Sequence, residues 1–330
     1  MIVKDELGND IQRSVPSTRI SLSRVGVTGL KRILRLCGDN SGGGMLFFSE
    51  LELYARLDAS QSGVHMSRFI ENIEKAASEI ARLSFPDFET ITDRMAVEIA
   101  GTQGASWAEA RVRAQYPMKK RTPKSDIEAE NLYTFIGRSV SDGELTRRAV
   151  GVEVNGFTVC PCAKEMVSEK ARAALLKAGY REDQVDEILS ILPMPSHNQR
   201  GLGTLLIGSE EPVRAEKLVS IVEDSMSAGI FALLKRPDEL NIVWEGHLKP
   251  RFAEDVVREM LRGVTERLAH LEDGAFVMAG QENFESIHAH NAYAERCSLL
   301  GDIRRELSGE ARGAISQVSL ETWLDAGLRG

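Results

Sequence analysis

The sequence predicts an α+β protein with segregated layers, on three observations. Stretches with a two-residue apolar period lie at Ser106–Met118 and Ala149–Val159. Stretches with a three-to-four-residue period lie at 64–83, 91–102, 164–178, 183–192, 215–227 and 251–271. Strand-like and helix-like stretches come in blocks rather than in strict alternation, which is the pattern of helices segregated to one side of a sheet. No G-x-G-x-x-G follows a strand and no Walker loop is present, so a doubly wound nucleotide fold is not expected.

The N-terminal 60 residues read poorly. Ser41–Gly44 is a glycine-rich break, and Met45–Asp58 suits a strand or a short helix. The first clear helix spans Val64–Leu83, with Met66, Phe69, Ile70, Ile73, Ala77 and Ile80 on one face and Pro86 beyond its end. In the strand that follows, Ala108, Ala110, Val112, Ala114 and Tyr116 face one way, while Glu109, Arg111, Arg113 and Gln115 form a polar side. A boundary is expected between residues 118 and 148. Val150, Val152 and Val154 share one face of the next strand, which runs directly into Cys160-Pro161-Cys162. After two helices and the Pro193 turn, Gly203–Gly208 reads as a strand. The Phe252, Val256, Met260, Val264, Leu268 ladder marks a helix, and Gly274–Gly280 reads as another strand.

Composition narrows the function. With 330 residues, a prior of about 150 per domain gives two domains or one large one. Hydrophobic residues make up 42% and charged residues 27%, which is globular chemistry and excludes a disordered chain. A net charge of -8 argues against a nucleic-acid partner, although local arginines can still hold a small anion. The N-terminus has no signal-peptide core and no run is long enough to span a membrane, so a cytoplasmic protein with no membrane partner is expected. Four cysteines are too few for a disulfide scaffold.

Several polar clusters bear on chemistry. Cys160 and Cys162 serve either as packed thiols or as ligands to zinc or ferrous iron. His197 to Gly201 is either a solvated turn or an imidazole ligand followed by groups aimed at a polar substrate. Glu239 and Glu254 each offer a carboxylate; Glu254 and Asp255 can instead answer a helix dipole. A buried glutamate carboxylate can also accept two hydrogen bonds from N1–H and the 2-amino group of guanine. Glu285, His288 and His290 cluster within six residues. His247 lies in a polar turn and His270 on a helix surface, both as structural residues. A metal held by three protein ligands keeps a position for water and supplies hydroxide near neutral pH, which suits hydrolysis at an electrophilic carbon.

Seven ordered blocks carry a family likeness: Val25–Arg32, Gly63–Phe69, Gly151–Glu165, Pro195–Ile207, Glu223–Glu239, Lys249–Met260 and Gln281–Glu295. In them the chain resembles the type IB GTP cyclohydrolases, most closely the archaeal branch, whose long segment between the second cysteine and the histidine is matched by the 34 residues between Cys162 and His197. The resemblance implies tandem tunnelling-fold (T-fold) modules, antiparallel sheets covered by paired helices, over 1–130 and 131–330, with a helical insert at 163–192. It implies a homotetramer with interfacial active sites. It implies Cys160, His197 and Glu239 as metal ligands, Glu254 as the guanine anchor, and His288, His290, Cys162 and Glu285 as catalytic residues. Arg200, Arg236 and Arg251 are candidates for the triphosphate of GTP, since guanidinium matches phosphate oxygens bidentately, or for surface ion pairs. One divalent metal per subunit is implied, Fe2+ foremost, with Zn2+ or Mn2+ accepted by the same ligands.

The implied reaction opens the guanine imidazole ring at C8 and releases formate. It yields 7,8-dihydroneopterin 2',3'-cyclic phosphate for methanopterin-type synthesis, or the dihydroneopterin triphosphate of the folate branch. A T-fold nitrile reductase, with a cysteine nucleophile and a nicotinamide cofactor, and a non-enzymatic purine-binding scaffold are the rival readings.

Overall fold

A computed structural model describes residues 11–36, 45–80, 88–310 and 318–328. The expected break at Ser41–Gly44, the last turn of the expected 64–83 helix and Pro86 lie outside the described residues.

The chain begins with β1 (Leu22–Leu36), β2 (Met45–Leu57), α1 (Met66–Ile80), α2 (Phe88–Gln103), β3 (Ala108–Arg121) and β4 (Glu128–Ser141). It continues with β5 (Thr146–Val159), α3 (Pro161–Lys177), α4 (Glu182–Ile191), β6 (Asn198–Gly208), α5 (Ala215–Ser225), β7 (Ala228–Gly229), α6 (Arg236–Leu248), α7 (Ala253–Arg267), β8 (Phe276–Asn283) and β9 (Ala292–Leu299). Two helices, α8 (Leu300–Ser308) and α9 (Leu320–Asp325), follow. The strands form one antiparallel sheet in the order β1-β2-β3-β4-β5-β6-β8-β9, with the short β7 paired to β5. The first half is two strands, two helices, then two strands; the second repeats this plan with α3 and α4 inserted between β5 and β6 and the short β7 between α5 and α6, and in each half the second pair is hydrogen-bonded to the first. The turn at 142–145 joins the two halves, and residue 130 falls within β4.

One face of the sheet is covered by helices. Phe69 and Ile73 of α1 and Ile91, Met95 and Ile99 of α2 pack with Phe47, Leu51, Ala110 and Val112; in the second half α5 and α7 bring Leu218, Val222, Val256 and Met260 to Val152, Leu205 and Val277. The core runs unbroken across both halves. The opposite face is polar in its centre and is capped at one place by α9. There Trp323 and Leu324 join Trp107, Val140, Leu206 and Phe276, and the Arg147 guanidinium lies 3.7 Å over the Trp323 ring.

The polar side expected on β3 is exposed at Arg113 and Gln115 but enclosed at Glu109. Glu109 is fully buried, and its carboxylate accepts hydrogen bonds from Arg24 (2.7 Å), Arg111 (2.9 Å) and Arg138. Burial alone would push this carboxyl up, but Arg111, Arg138 and Arg24 outweigh it and hold it below the ordinary glutamate range. Arg138 also reaches Glu321 at 3.0 Å, which ties α9 to the same cluster.

Four elements differ from the sequence expectation. β1 is disguised by register shifts, one of them between Val27 and Leu30, where Gly29 takes φ 65°. β4 is buried on both faces along Gly137–Ser141, so it lacks a two-residue period. The polar turn expected around His247 is the last turn of α6. β9, at the outer edge of the sheet, alternates only weakly. No helix among the described residues is long and apolar enough to cross a membrane.

Glu109→Ala strands the Arg138 guanidinium without its main acceptor. It should cost about 3–5 kcal/mol in denaturant unfolding. Because the folded carboxyl is depressed, its stabilisation is present above the unfolded glutamate range, near ~4.3, and is lost as pH falls through the folded value. Glu109→Gln should therefore flatten the acid limb of a stability–pH curve; an unchanged limb counts against this account.

Candidate active site

The site is built at one end of the β5–β6 pair. Val159 lies opposite Asn198, and beyond that rung the Cys160 N–H donates to the His197 carbonyl at 3.1 Å. The Ser196 hydroxyl donates to the Cys160 carbonyl at 2.6 Å. The helices α3 and α4 are an excursion between these two residues. Cys160 caps α3 with Pro161 in its first turn, where a missing N–H costs nothing. Both Cys160 and Cys162 are free thiols; Cys160 is half-buried and Cys162 exposed.

The His197 ring is oriented by its neighbours. Its Nδ1 lies 3.2 Å from Gln199 Oε1 and 3.6 Å from Glu285 Oε2. Gln199 is itself fixed, because its Nε2 donates to the Thr158 hydroxyl at 3.1 Å. An amide oxygen only accepts, so Nδ1 is the donor in this contact and Nε2 is left free of it. Gly201 keeps this rung tight, since a Cβ there would come within 2.2 Å of Gln281 Nε2.

β8 brings the second group. The Phe284 N–H donates to the Arg200 carbonyl at 2.9 Å, so the loop 284–291 leaves the sheet beside the start of β6. Glu285 is nearly buried, and one of its oxygens has no hydrogen-bond partner although it faces His197. The His288 ring meets the His197 ring edge-on with centroids 6.0 Å apart, and the His290 ring stacks on His288 at 5.3 Å. The histidine pair therefore converges from a loop rather than sharing a strand face.

α7 brings the third. The Arg251 N–H donates to the Val159 carbonyl at 3.0 Å, which pins the start of the helix to the end of β5. The two acidic residues of its first turn divide their tasks. Asp255 accepts the Phe252 N–H at 3.0 Å and closes the cap. Glu254 is exposed and makes no hydrogen bond or ion pair among the described residues, leaving its carboxylate available to a ligand. Arg251 pairs with Glu259 at 3.3 Å, whereas Arg200 and Arg236 are exposed and form no ion pair among the described residues.

Glu239 is not part of this convergence. It is exposed in the first turn of α6, while the other end of that helix touches the site through His247, whose Nε2 lies 3.4 Å from the Ser196 carbonyl. Eight residues of α-helix separate them, about 12 Å along the axis. Next to Glu239, buried Asp238 accepts the backbone N–H groups of Lys124 and Ser125 (both 2.9 Å) and Lys235 (3.0 Å). Burial raises its pKa, but these donors prevail and hold it well below the carboxylate range. Among the described residues no three His, Cys, Asp or Glu side chains converge closely enough to enclose a metal ion within one chain.

The donors that do converge fit a divalent metal in part: a thiol at Cys160, an imidazole lone pair at His197, and beside it the unpartnered Glu285 oxygen. Sequence reasoning missed His247, Lys164 and Gln199. Buried His247 packs beside Phe157 and its carbonyl accepts Lys164 Nζ at 2.9 Å, joining α6 to α3 at the site. The burial of α6 at this end, which would have revealed His247, leaves no periodic apolar signal in the sequence.

Comparison with known proteins shows the fold and the family. A uricase from Arthrobacter globiformis superposes with a TM-score of 0.51 at 10% identity, covering 92% of this chain and 100% of that one, so the two share the tandem T-fold. GTP cyclohydrolase MptA of Methanocaldococcus jannaschii is 36% identical over 308 residues, which is 90% of this chain and 97% of that protein. GTP cyclohydrolase MptA of Halobacterium salinarum is 35% identical over 306 residues, 91% of this chain and 98% of that protein. The model of the family described as type I GTP cyclohydrolase folE2 matches residues 9–294, and the chain belongs to that family.

Proposed function

We propose that the chain is a GTP cyclohydrolase that opens the guanine imidazole ring of GTP by hydrolysis at C8, releases formate, and forms 7,8-dihydroneopterin 2',3'-cyclic phosphate for methanopterin-type pterin synthesis, the β- and γ-phosphates leaving as diphosphate when the α-phosphate cyclises. The convergence of His197, His288, His290 and Glu285 beside Cys160 carries this reading, together with family membership.

Glu254 accepts the N1–H and 2-amino protons of guanine, a bidentate match that adenine does not offer. His288 or His290 delivers a proton to the ring nitrogen that leaves C8 and takes one back in the second hydrolysis, the one that frees formate; an imidazole near neutral pKa serves both directions. Glu285 and Gln199 hold the His197 ring with Nδ1 protonated, and Cys162 backs the site from the first turn of α3. Arg200, Arg236 and Arg251 hold the phosphates. Cys160 and His197 would hold one divalent metal per subunit, with Glu239 the third ligand that the family likeness implies although within one chain it stands apart from them; Fe2+ is foremost and Zn2+ or Mn2+ accepted, and the metal when bound supplies a Lewis acid and hydroxide near neutral pH. The enzyme works as a cytoplasmic homotetramer.

Metal-stripped protein, reloaded anaerobically with each metal and given GTP, should release formate only when reloaded, with a cyclic-phosphate pterin identified by mass. A retained triphosphate would move the product to the folate branch. Absence of formate with every metal, from folded protein, would refute the activity. His288→Ala and His290→Ala should each lower kcat by about 10²–10⁴-fold with GTP binding kept. Glu254→Ala should instead weaken GTP by ~1.5–3 kcal/mol, roughly 10- to 100-fold in Kd, read by calorimetry with the apo protein.

A further inference from the structure

The chain leaves the site at Cys160 and returns to it at His197 by way of α3 and α4, which together bury one side chain, Val185. A long, lightly packed excursion does not set where the returning turn lands, so local bonds must. Two of them tie that turn to Cys160: the Cys160 N–H donates to the His197 carbonyl at 3.1 Å, and the Ser196 hydroxyl donates to the Cys160 carbonyl at 2.6 Å. A third contact ties it to a different element. Nε2 of His247, in the last turn of α6, lies 3.4 Å from the Ser196 carbonyl.

His247 is a buried polar ring, and such a ring keeps its place by its partners. Its Nδ1 lies 2.8 Å from the Val243 carbonyl one turn back, which steers the ring and leaves Nε2 facing Ser196. Both partners are carbonyl oxygens, which only accept, so in either hydrogen bond the ring is the donor. α6 comes close enough for this because of Gly246: a Cβ there would stand 2.6 Å from Cε1 of Phe157, whose ring flanks the imidazole with centroids 6.3 Å apart. Lys164, one turn into α3 from Cys160, donates to the His247 carbonyl at 2.9 Å. The other end of α6 is fixed by Asp238, which accepts the backbone N–H groups of Lys124 and Ser125. The helix is thus a strut anchored at both ends, and α3, α6 and the returning turn meet at His247.

We propose that His247 is a positioning residue for the reaction: by donating from Nε2 to the Ser196 carbonyl it fixes the returning turn and holds the His197 ring in register with the Cys160 thiol. It acts through the turn and not on the substrate. The inference rests on Cys160 and His197 as the donor pair proposed above, and adds the residue that sets their mutual placement. Outer partners of this kind are worth about 10- to 100-fold in metal affinity or activity.

The test moves the donor between the two ring positions. His247→Gln places an amide N–H near the former Nε2, His247→Asn places one near the former Nδ1, and His247→Leu keeps bulk without a donor. Co2+ is the probe, its thiolate charge-transfer band giving affinity without turnover; kcat and KM for GTP are measured separately, and far-UV dichroism checks the fold. His247→Asn and His247→Leu should each weaken Co2+ and lower kcat by about 10- to 100-fold, with KM within about twofold, whereas His247→Gln should stay within about threefold of the parent chain in both. Ser196→Ala, which frees the same turn from Cys160 without touching the core, should also weaken Co2+, and His247→Asn added to it should cost less than it does alone. Losses of equal size in all three His247 variants would assign the effect to packing of the ring and overturn the inference. Parent-like Co2+ affinity in His247→Asn, or strictly additive losses with Ser196→Ala, would overturn it too. A parent chain that binds Co2+ with no thiolate band would overturn the Cys160–His197 pair on which the inference rests.

Discussion

The antiparallel pairing of β5 with β6 is the constraint on which the rest of the site depends. It places Asn198 opposite Val159 and lets the Cys160 N–H close onto the His197 carbonyl. Every other functional group is then referred to these two strand ends. α7 is pinned to the last carbonyl of β5, and the loop bearing Glu285, His288 and His290 departs from a hydrogen bond to Arg200 at the start of β6. A one-residue slip would turn Gln199 and Thr158 away from each other and leave the His197 ring without its support.

The sheet in turn depends on a division between its faces. One face is an apolar seam running under α1, α2, α5 and α7, continuous through both halves. The other carries ionised groups, of which Glu109 with its three guanidiniums is the most deeply buried. Such a cluster contributes less net stability than an equal volume of packed hydrocarbon, yet it tolerates few alternative registers, because each arginine reaches the same carboxylate from a different strand. α9 completes this face and gives the segment after residue 300 a structural task.

Much of this was legible in the sequence. Ala108 to Tyr116 shows the period of a half-buried strand, and Phe69, Ile73 and the Phe252–Leu268 ladder show helices, because each buries one side only. The Cys160, His197 and His288–His290 clusters stood out because their residue types are rare and closely spaced. What stayed hidden follows from burial on both faces or on neither. β4 is enclosed along half its length, so its apolar residues do not alternate. α6 buries a polar side and exposes an apolar one, so its pattern reads as a turn. The burial of Glu109 was invisible because its partners Arg24 and Arg138 come from other strands, 85 and 29 residues away along the chain.

The α3–α4 excursion has a consequence for how such a site tolerates change. No residue of α3 is buried, and in α4 only Val185 is. The pair is held by its own contacts, including Arg172 to Glu182 at 3.0 Å and to Asp186, and it returns the chain to the place it left. The cost of closing a loop grows only with the logarithm of its length, and a self-supporting hairpin reduces it further. The separation of Cys160 and His197 along the chain is thus decoupled from their separation in space. This makes the hairpin a modular graft point, where length and sequence are free to drift, or to acquire a new surface, while the chemistry beneath keeps its geometry.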